Sequence, residues 1–194
     1  MARERARERD VTNVEFQECD ACSLPFDDAT FDSVTCRFGF MFFPDVRAAA
    51  SELARVTKHG GRVCASVWAE PPGNPWVTLM MGTIASEIEV QPPAPDAPGM
   101  FRCAEPGMMA GLFRAAGLRD VEERDVHGEV ALESPEQYWK LQTEVAAPVV
   151  AALAGADEET VASIHAKVVD AVGAYATGDA IRIPYHARCA LGVK

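Results

Sequence analysis

The sequence contains few basic residues and no long apolar run. Its 194 residues include 18 lysines and arginines against 29 aspartates and glutamates, which gives a net charge of -11. Because phosphate binding depends on clustered basic side chains, this balance argues against nucleic acid and favours a small-molecule partner. No apolar stretch approaches the roughly 20 residues that cross a bilayer, and the first ten residues alternate Arg with Glu instead of forming a targeting signal. We therefore expect a cytoplasmic protein without a membrane span.

Cysteine pairs with metal-binding spacing are also scarce. Cys19 and Cys22 are separated by two residues, as in half of a zinc or redox site, but no second pair has this spacing. Three other cysteines lie in strand-like runs, where a free thiol packs as a small apolar residue: Cys36, Cys64 and Cys189. We expect no metal site and no disulfide framework.

Two apolar runs around a polar loop organise the N-terminal third of the chain. Residues Val14 to Gln17 alternate like a strand, and the pattern stops at Cys19-Asp20-Ala21 and Pro25. The second run begins at Phe31 and continues to Phe43. It is too apolar to face water, so it suits a strand covered on both faces of a parallel sheet. The first predicted strand therefore ends beside a carboxylate, and the loop after it is a candidate site.

Helix and strand patterns alternate through the rest of the chain. A helix from Pro44 to about Thr57, Gly60-Gly61 and a strand over Arg62–Trp68 predict a crossover unit with the preceding strand. Prolines interrupt residues 71–104, which we interpret as an insertion over the C-terminal edge of the sheet. The later predictions are a helix over Trp76–Ile88, a proline-rich loop over Pro92–Pro98, a helix over Glu105–Ala116, a strand over Val121–Val126, a helix capped by Ser134, a helix from Asp157 to before Gly178, and a strand over Ile181–Leu191.

Several linked motifs resemble those of class I S-adenosylmethionine-dependent methyltransferases. The matching residues are Asn13-Val14-Glu15-Phe16, Asp20-Ala21, Leu24-Pro25-Phe26, Phe31-Asp32, Arg37-Phe38-Gly39, Phe43-Pro44-Asp45, Arg55-Val56 and Gly60-Gly61. Within that family the sequence is most similar to the branch that includes the ubiquinone and menaquinone C-methyltransferases. The resemblance runs from about Ala2 to Trp68 and continues more weakly to the C-terminus.

The resemblance implies an α/β fold, with a Rossmann-like methyltransferase sheet, helices on both faces and a helical cap. The family opens with a strand and a glycine-rich turn that hold the cofactor, followed by a second strand, whereas here no glycine precedes Gly39. We therefore interpret the sequence as a truncated methyltransferase that lacks the first two strands of the family. Its single incomplete domain, 1–194, divides into a sheet half with the cofactor loop (1–70), the insertion (71–104), a helix and strand (105–133), the helical cap (134–178) and a final strand (179–194).

The same resemblance implies a site for S-adenosylmethionine. In the family, the carboxylate at the position of Asp20 accepts a hydrogen bond from the adenine amino group, and the amide of Ala21 donates to a ring nitrogen. Arg37 and Phe38 follow the second strand, at the rim where the family binds the methionyl part. The alternatives are that Asp20 caps its loop and that Arg37 forms a surface salt bridge. With only half of the cradle present, we expect this chain alone to bind the cofactor at roughly millimolar affinity or weaker.

The remaining candidates concern the methyl acceptor. Four aromatic residues are candidates for its pocket, although each is also an ordinary core residue: Phe42, Trp68, Phe101 and Trp139. If the acceptor must lose a proton, the candidate bases, which have no motif support, are His127, Tyr138 and His186. The sequence thus predicts methyl transfer to an apolar or aromatic small molecule. The alternative is a degenerate methyltransferase-like subunit that binds a partner without catalysis.

One further expectation concerns assembly. The strand order of the family would leave the segment Val34–Phe38 without one neighbour, as an apolar edge. Such an edge predicts self-association, with a homo-oligomer as one form of it.

Overall fold

The computed structural model describes every residue except Met1, Pro92, Pro93 and Pro95, so part of the loop predicted over Pro92–Pro98 lies outside the described residues. The helices are α1 (Ala2–Glu8), α2 (Val46–Val56), α3 (Pro75–Glu87), α4 (Met108–Ala115), α5 (Pro135–Val145), α6 (Ala147–Leu153) and α7 (Glu158–Gly173). The strands are β1 (Phe31–Arg37), β2 (Thr57–Trp68), β3 (Arg119–Leu132), β4 (Ala176–Thr177) and β5 (Ala180–Val193). Two 3₁₀ turns cover Phe40–Phe42 and Pro71–Gly73.

The five strands form one sheet in the order β1-β2-β5-β3, with β4 paired to β5. β1 and β2 are parallel and are joined by α2, which confirms the predicted crossover unit. The pairs of β5 with β2, β3 and β4 are antiparallel. The result is a mixed sheet flanked by helices, in agreement with the α/β prediction. β1 lies at the edge and has β2 as its strand partner within the described part of the chain.

Local sequence signals explain why α2 forms where it was predicted. The carboxylate of Asp45 accepts hydrogen bonds from the backbone amides of Arg47 and Ala48, so the first turn of the helix is capped. The buried face of the helix then repeats at helical spacing and includes Val46, Ala49, Ala50 and Leu53. Alternate side chains of β2 are fully buried in the same core: Val63, Ala65 and Val67.

Two hydrophobic clusters hold the structure together, and β5 contributes to both. The first lies between the sheet and helices α2 and α4 and includes Phe113 and Ala190. The second lies among α3, α5, α6 and α7 and includes Ile181 and Ile183 from the other half of β5. None of the helices in the described ranges is both long and apolar enough to cross a membrane.

One predicted strand is wrong and a second is shorter than predicted. Residues Val14–Gln17 form no strand, and Val14 and Phe16 are 44% and 38% exposed. A strand needs a neighbour for its backbone groups, and no described segment pairs with this one. The second apolar run also stops being a strand at Arg37, because Phe38 adopts a left-handed conformation and a 3₁₀ turn follows.

Candidate functional site

The carboxyl ends of the parallel strands β1 and β2 form the candidate site. Arg37 lies opposite Ser66, and the amide of Phe38 donates to the Ser66 carbonyl at 2.9 Å. Phe38 has a φ of 53°, which is unfavourable for a bulky side chain and costs about 1–3 kcal/mol. This conformation places the Phe38 ring against Trp68, with the ring centroids 4.1 Å apart and the planes 15° from parallel. Backbone strain at a strand end is typical of functional positions.

Two more rings extend this stack. Trp68 contacts Trp76 at a centroid distance of 4.9 Å and Tyr185 at 6.0 Å. We call Phe38, Trp68, Trp76 and Tyr185 the aromatic cluster. It joins the sheet edge to the start of α3, so an apolar surface lies directly beside the strand end that carries Arg37.

Side chains of α5 hold Trp76 in place. Its carbonyl oxygen accepts hydrogen bonds from the Tyr138 hydroxyl at 2.9 Å and from Gln142 Nε2 at 2.8 Å. Burial raises the pKa of Tyr138 to about 12. The hydroxyl of this candidate base is therefore engaged in positioning Trp76. The indole Nε1 of Trp76 is itself buried and has no hydrogen-bond partner among the described residues.

Arg37 has no acidic partner in the part of the chain that the structure describes. Its guanidinium lies 5.5 Å from the centroid of the Phe38 ring, a cation–π distance. The surface salt bridge considered as an alternative is therefore not formed with any described residue. The guanidinium donors are available for an anionic group.

The loop that carries Asp20 is fastened to α2. One Asp20 carboxylate oxygen, Oδ1, accepts from the Cys22 amide at 2.9 Å, so this side chain does cap its own loop. Glu52 accepts from the Leu24 amide at 2.7 Å, and Arg55 bonds Glu52 and also donates to the Leu24 carbonyl at 3.0 Å. The Arg55 hydrogen bond lowers the pKa of Glu52. The Glu52–Arg55 pair thus fixes the loop, a role that was not predicted from the sequence.

A second polar group lies beside the aromatic cluster. The rings of His127 and His186 occupy paired positions on β3 and β5 and stack with centroids 4.1 Å apart. His186 Nε2 is 3.1 Å from Asp125 Oδ1, and the buried Arg188 donates to the same carboxylate oxygen at 2.8 Å. His127, His186 and Tyr185 line one cavity of 510 Å³. Tyr185 thus belongs both to this cavity and to the aromatic cluster.

Comparison with known proteins supports a family resemblance. Residues 1–65 match the family model described as "Methyltransferase domain". The predicted resemblance to class I S-adenosylmethionine-dependent methyltransferases is therefore confirmed. The matched residues include Asp20, Arg37 and α2.

Individual relatives match different lengths of the chain. An "Uncharacterized methyltransferase YcgJ" of Bacillus subtilis is 53% identical over 57 residues, which are 29% of this chain and 22% of that protein. The demethylmenaquinone methyltransferase of the same organism is 30% identical over 146 residues, or 68% of this chain and 60% of that enzyme. The matches therefore span less than two thirds of the length of both relatives. The crystal structure of YcgJ shares the fold with a TM-score of 0.55 at 24% identity, covering 100% of this chain and 76% of that one.

The structure separates the four aromatic residues that were predicted to line an acceptor pocket. Trp68 is central to the aromatic cluster, whereas Phe42 is 50% exposed on the first 3₁₀ turn. Phe101 lies in a segment that packs on that turn, because the nearby Gly99 amide donates to the Met41 carbonyl. Trp139, on α5, contacts His165 of α7. Trp68 is therefore the one that the structure brings beside Arg37 and Phe38.

Two residues of the aromatic cluster, Trp76 and Tyr185, were not predicted from the sequence as site residues. Tyr185 precedes Ala187 by two residues, and Ala187 lies opposite Trp68, so both rings are on the same face of the sheet. That relation depends on the register of β5 against β2. The proline break before Trp76 was the one local signal that this residue opens a helix near the sheet edge.

Proposed function

We propose that this protein transfers a methyl group from S-adenosylmethionine to an apolar or aromatic small molecule at the carboxyl edge of β1 and β2. The observation that carries the proposal is the aromatic cluster beside Arg37, at the end of the sheet where open α/β folds bind ligands. Similarity to the methyltransferase domain model and to the demethylmenaquinone methyltransferase of Bacillus subtilis supports the reaction class. The net charge of -11 favours a small molecule over nucleic acid, and we place the reaction in the cytoplasm.

Side chains at this edge fit two ends of S-adenosylmethionine. The Oδ2 atom of Asp20 is not used by the bond to Cys22 and suits the adenine amino group, with the Ala21 amide beside it. Arg37, which has no acidic partner among the described residues, suits the carboxylate of the methionyl part. When bound, the cofactor supplies an electrophilic methyl group on a sulfonium. Phe38 would lie next to that part of it.

The aromatic cluster accounts for the acceptor. Its rings offer an apolar surface that excludes water and aligns a planar molecule, and these two effects supply most of the acceleration when the acceptor is already nucleophilic. These features favour an aromatic or apolar molecule as the acceptor.

The test is methyl transfer from radiolabelled S-adenosylmethionine to small-molecule extracts, with RNA and DNA as competing acceptors. We expect the label to appear in small molecules. Trp68→Leu should lower kcat/KM at least tenfold, which corresponds to about 1.4 kcal/mol of activation free energy. Trp139→Leu is the matched variant and should have a much smaller effect, because Trp139 contacts His165 instead of the cluster. Label in nucleic acid alone, or equal effects of the two substitutions, would contradict the proposal.

A further inference from the structure

The cavity beside the aromatic cluster is lined by a histidine, His186, whose backbone is fixed by hydrogen bonds. We propose that this cavity is the methyl-acceptor pocket, that its ligand is an aromatic alcohol, and that His186 takes the hydroxyl proton. The inference rests on the proposed function and adds to it the acceptor class and the base. A volume of 510 Å³ lies within the range of about 300–1,000 Å³ that small-molecule pockets have.

The position of His186 is fixed through its backbone. The buried side chain of Asn74 donates from Nδ2 to the His186 carbonyl at 2.9 Å and accepts at Oδ1 from the His186 amide at 3.0 Å. This pair of bonds ties the start of α3 to β5. Because these two hydrogen bonds use the backbone atoms of residue 186, substitution of the imidazole side chain leaves them intact.

One ring nitrogen of His186 faces a carboxylate. Nε2 is buried 3.1 Å from Asp125 Oδ1, although the angles are not those of a hydrogen bond. Arg188 bonds the same carboxylate at 2.8 Å and Glu70 at 3.4 Å. The two carboxylates and one guanidinium leave a net charge of -1 next to the imidazole. A carboxylate in this position holds the imidazole in one orientation, as a general base requires.

The other ring nitrogen, Nδ1, lies at the wall of the cavity. A Cβ atom on Gly73, which also lines the cavity, would come within 3.1 Å of it. No described residue forms a hydrogen bond to Nδ1. The further ionisable groups around the cavity are His127 and Glu129 from β3, Tyr185 from β5, and Tyr175. Of these, His127 covers one face of the imidazole by stacking.

The aromatic residues of the cavity and the base favour one class of methyl acceptor. Tyr185 and the prolines that line the cavity suit a flat ring, and an imidazole beside a carboxylate suits an acceptor with an acidic O–H. The O–H bond breaks and its proton goes to Nδ1 of His186. The oxygen forms the new bond to the methyl carbon as the bond from that carbon to sulfur breaks, with the electron pair staying on sulfur. His186 then releases its proton to water.

The first test is kinetic and uses 1-naphthol as acceptor. We expect His186→Asn to lower kcat about 10²- to 10⁴-fold at neutral pH and to remove the acid limb of the pH–rate profile. Asp125→Asn should lower kcat less and shift that limb, as a positioning residue would. His59→Asn, at an exposed site far from the cavity, is the control and should leave both unchanged. An unchanged kcat and pH profile in His186→Asn would overturn the assignment of the base.

The second test measures binding without turnover. The chain has four histidines, so the imidazole nitrogen signal of residue 186 can be assigned by its loss in His186→Asn. Adding 1-naphthol should shift this signal, and naphthalene, which lacks the hydroxyl, should shift it much less. Equal shifts from both compounds, or none, would overturn the acceptor class. If the unaltered protein labels no small molecule at all, the proposed function fails. If labelling occurs and His186→Asn does not change its rate, only this inference fails.

Discussion

Replacing the buried Arg188 tests whether the polar group around it stabilises the fold. Its side chain is 6% exposed and donates to Asp125 at 2.8 Å and to the Ala104 carbonyl at 2.7 Å. Arg188→Met keeps most of the volume but leaves both acceptors without this donor. Breaking a buried ion pair costs about 3–5 kcal/mol. Since Asp125 is 48% exposed and water can replace part of its bond, we expect the lower end, about 3 kcal/mol.

The same variant should change the dependence of stability on pH. The hydrogen bond from Arg188 is the largest of the causes that lower the pKa of Asp125, and His186 adds to it. A carboxyl whose pKa is lowered by folding contributes stability above its unfolded pKa of about 3.9, and this contribution is lost as the pH falls through the folded pKa. The free energy of unfolding should therefore drop below about pH 4 in the natural protein, and less steeply in Arg188→Met.

Urea titrations at neutral and acid pH measure both effects. The matched control is Arg124→Met, because Arg124 lies on the neighbouring strand in an exposed pair with Glu122. Exposed pairs contribute about 0–1 kcal/mol, so this control should change little. A loss in Arg188→Met no larger than in the control, with an unchanged pH dependence, would refute the reasoning.

Three further predictions use the same assay or light scattering. Gly61→Ala should lower the free energy of unfolding by about 1–3 kcal/mol, because the new Cβ would lie 2.7 Å from the Asp32 carbonyl oxygen. Gly82→Ala in α3 is the control: its Cβ meets no atom within 4 Å, so the change should be neutral or stabilise by up to about 1 kcal/mol. Equal effects of the two substitutions would be inconsistent with this packing. Tyr138→Phe should cost about 0.5–1.5 kcal/mol, since Gln142 still bonds the Trp76 carbonyl, and adding Gln142→Leu should cost more than the sum of the single changes. The edge position of β1 predicts self-association at high concentration, and a monodisperse monomer by light scattering would argue against it.

Elements with local signals could be predicted from the sequence. The predicted Ser134 cap of α5 forms, and α7 begins beside Asp157 as predicted. Both residues accept from amides three residues later, which depends only on neighbouring residues. The alternation of β2 likewise shows directly in its burial. The boundaries are less accurate: β2 begins at Thr57, immediately after α2, where a strand from Arg62 was predicted. Residues 57–61 include Gly60 at a φ of 78°, and the β1–β2 register shifts there.

Features that depend on distant segments could not be predicted. The segment Val14–Gln17 has strand-like alternation, but pairing requires a neighbouring strand that its own residues do not reveal. In the candidate site, Asp20, Arg37 and Trp68 follow from motif and pattern, whereas the contact of Trp68 with Tyr185 requires the register of β5. The sequence predicted Arg188 only as one residue of the final strand. Its burial against Asp125 and Ala104 could not be predicted, because it depends on the packing of three segments that are distant in sequence.

The continuity of β5 couples the folding of the two hydrophobic clusters. Because Ile183 belongs to one and Ala190 to the other, on a single uninterrupted strand, the cap cannot detach without removing β5 residues from the sheet. Hydrogen exchange should accordingly show similar protection along both halves of this strand. Tyr185 and His186 lie between those halves and line the cavity. A molecule bound there would stabilise both halves at once, so binding should raise the unfolding temperature of the whole domain in a single transition.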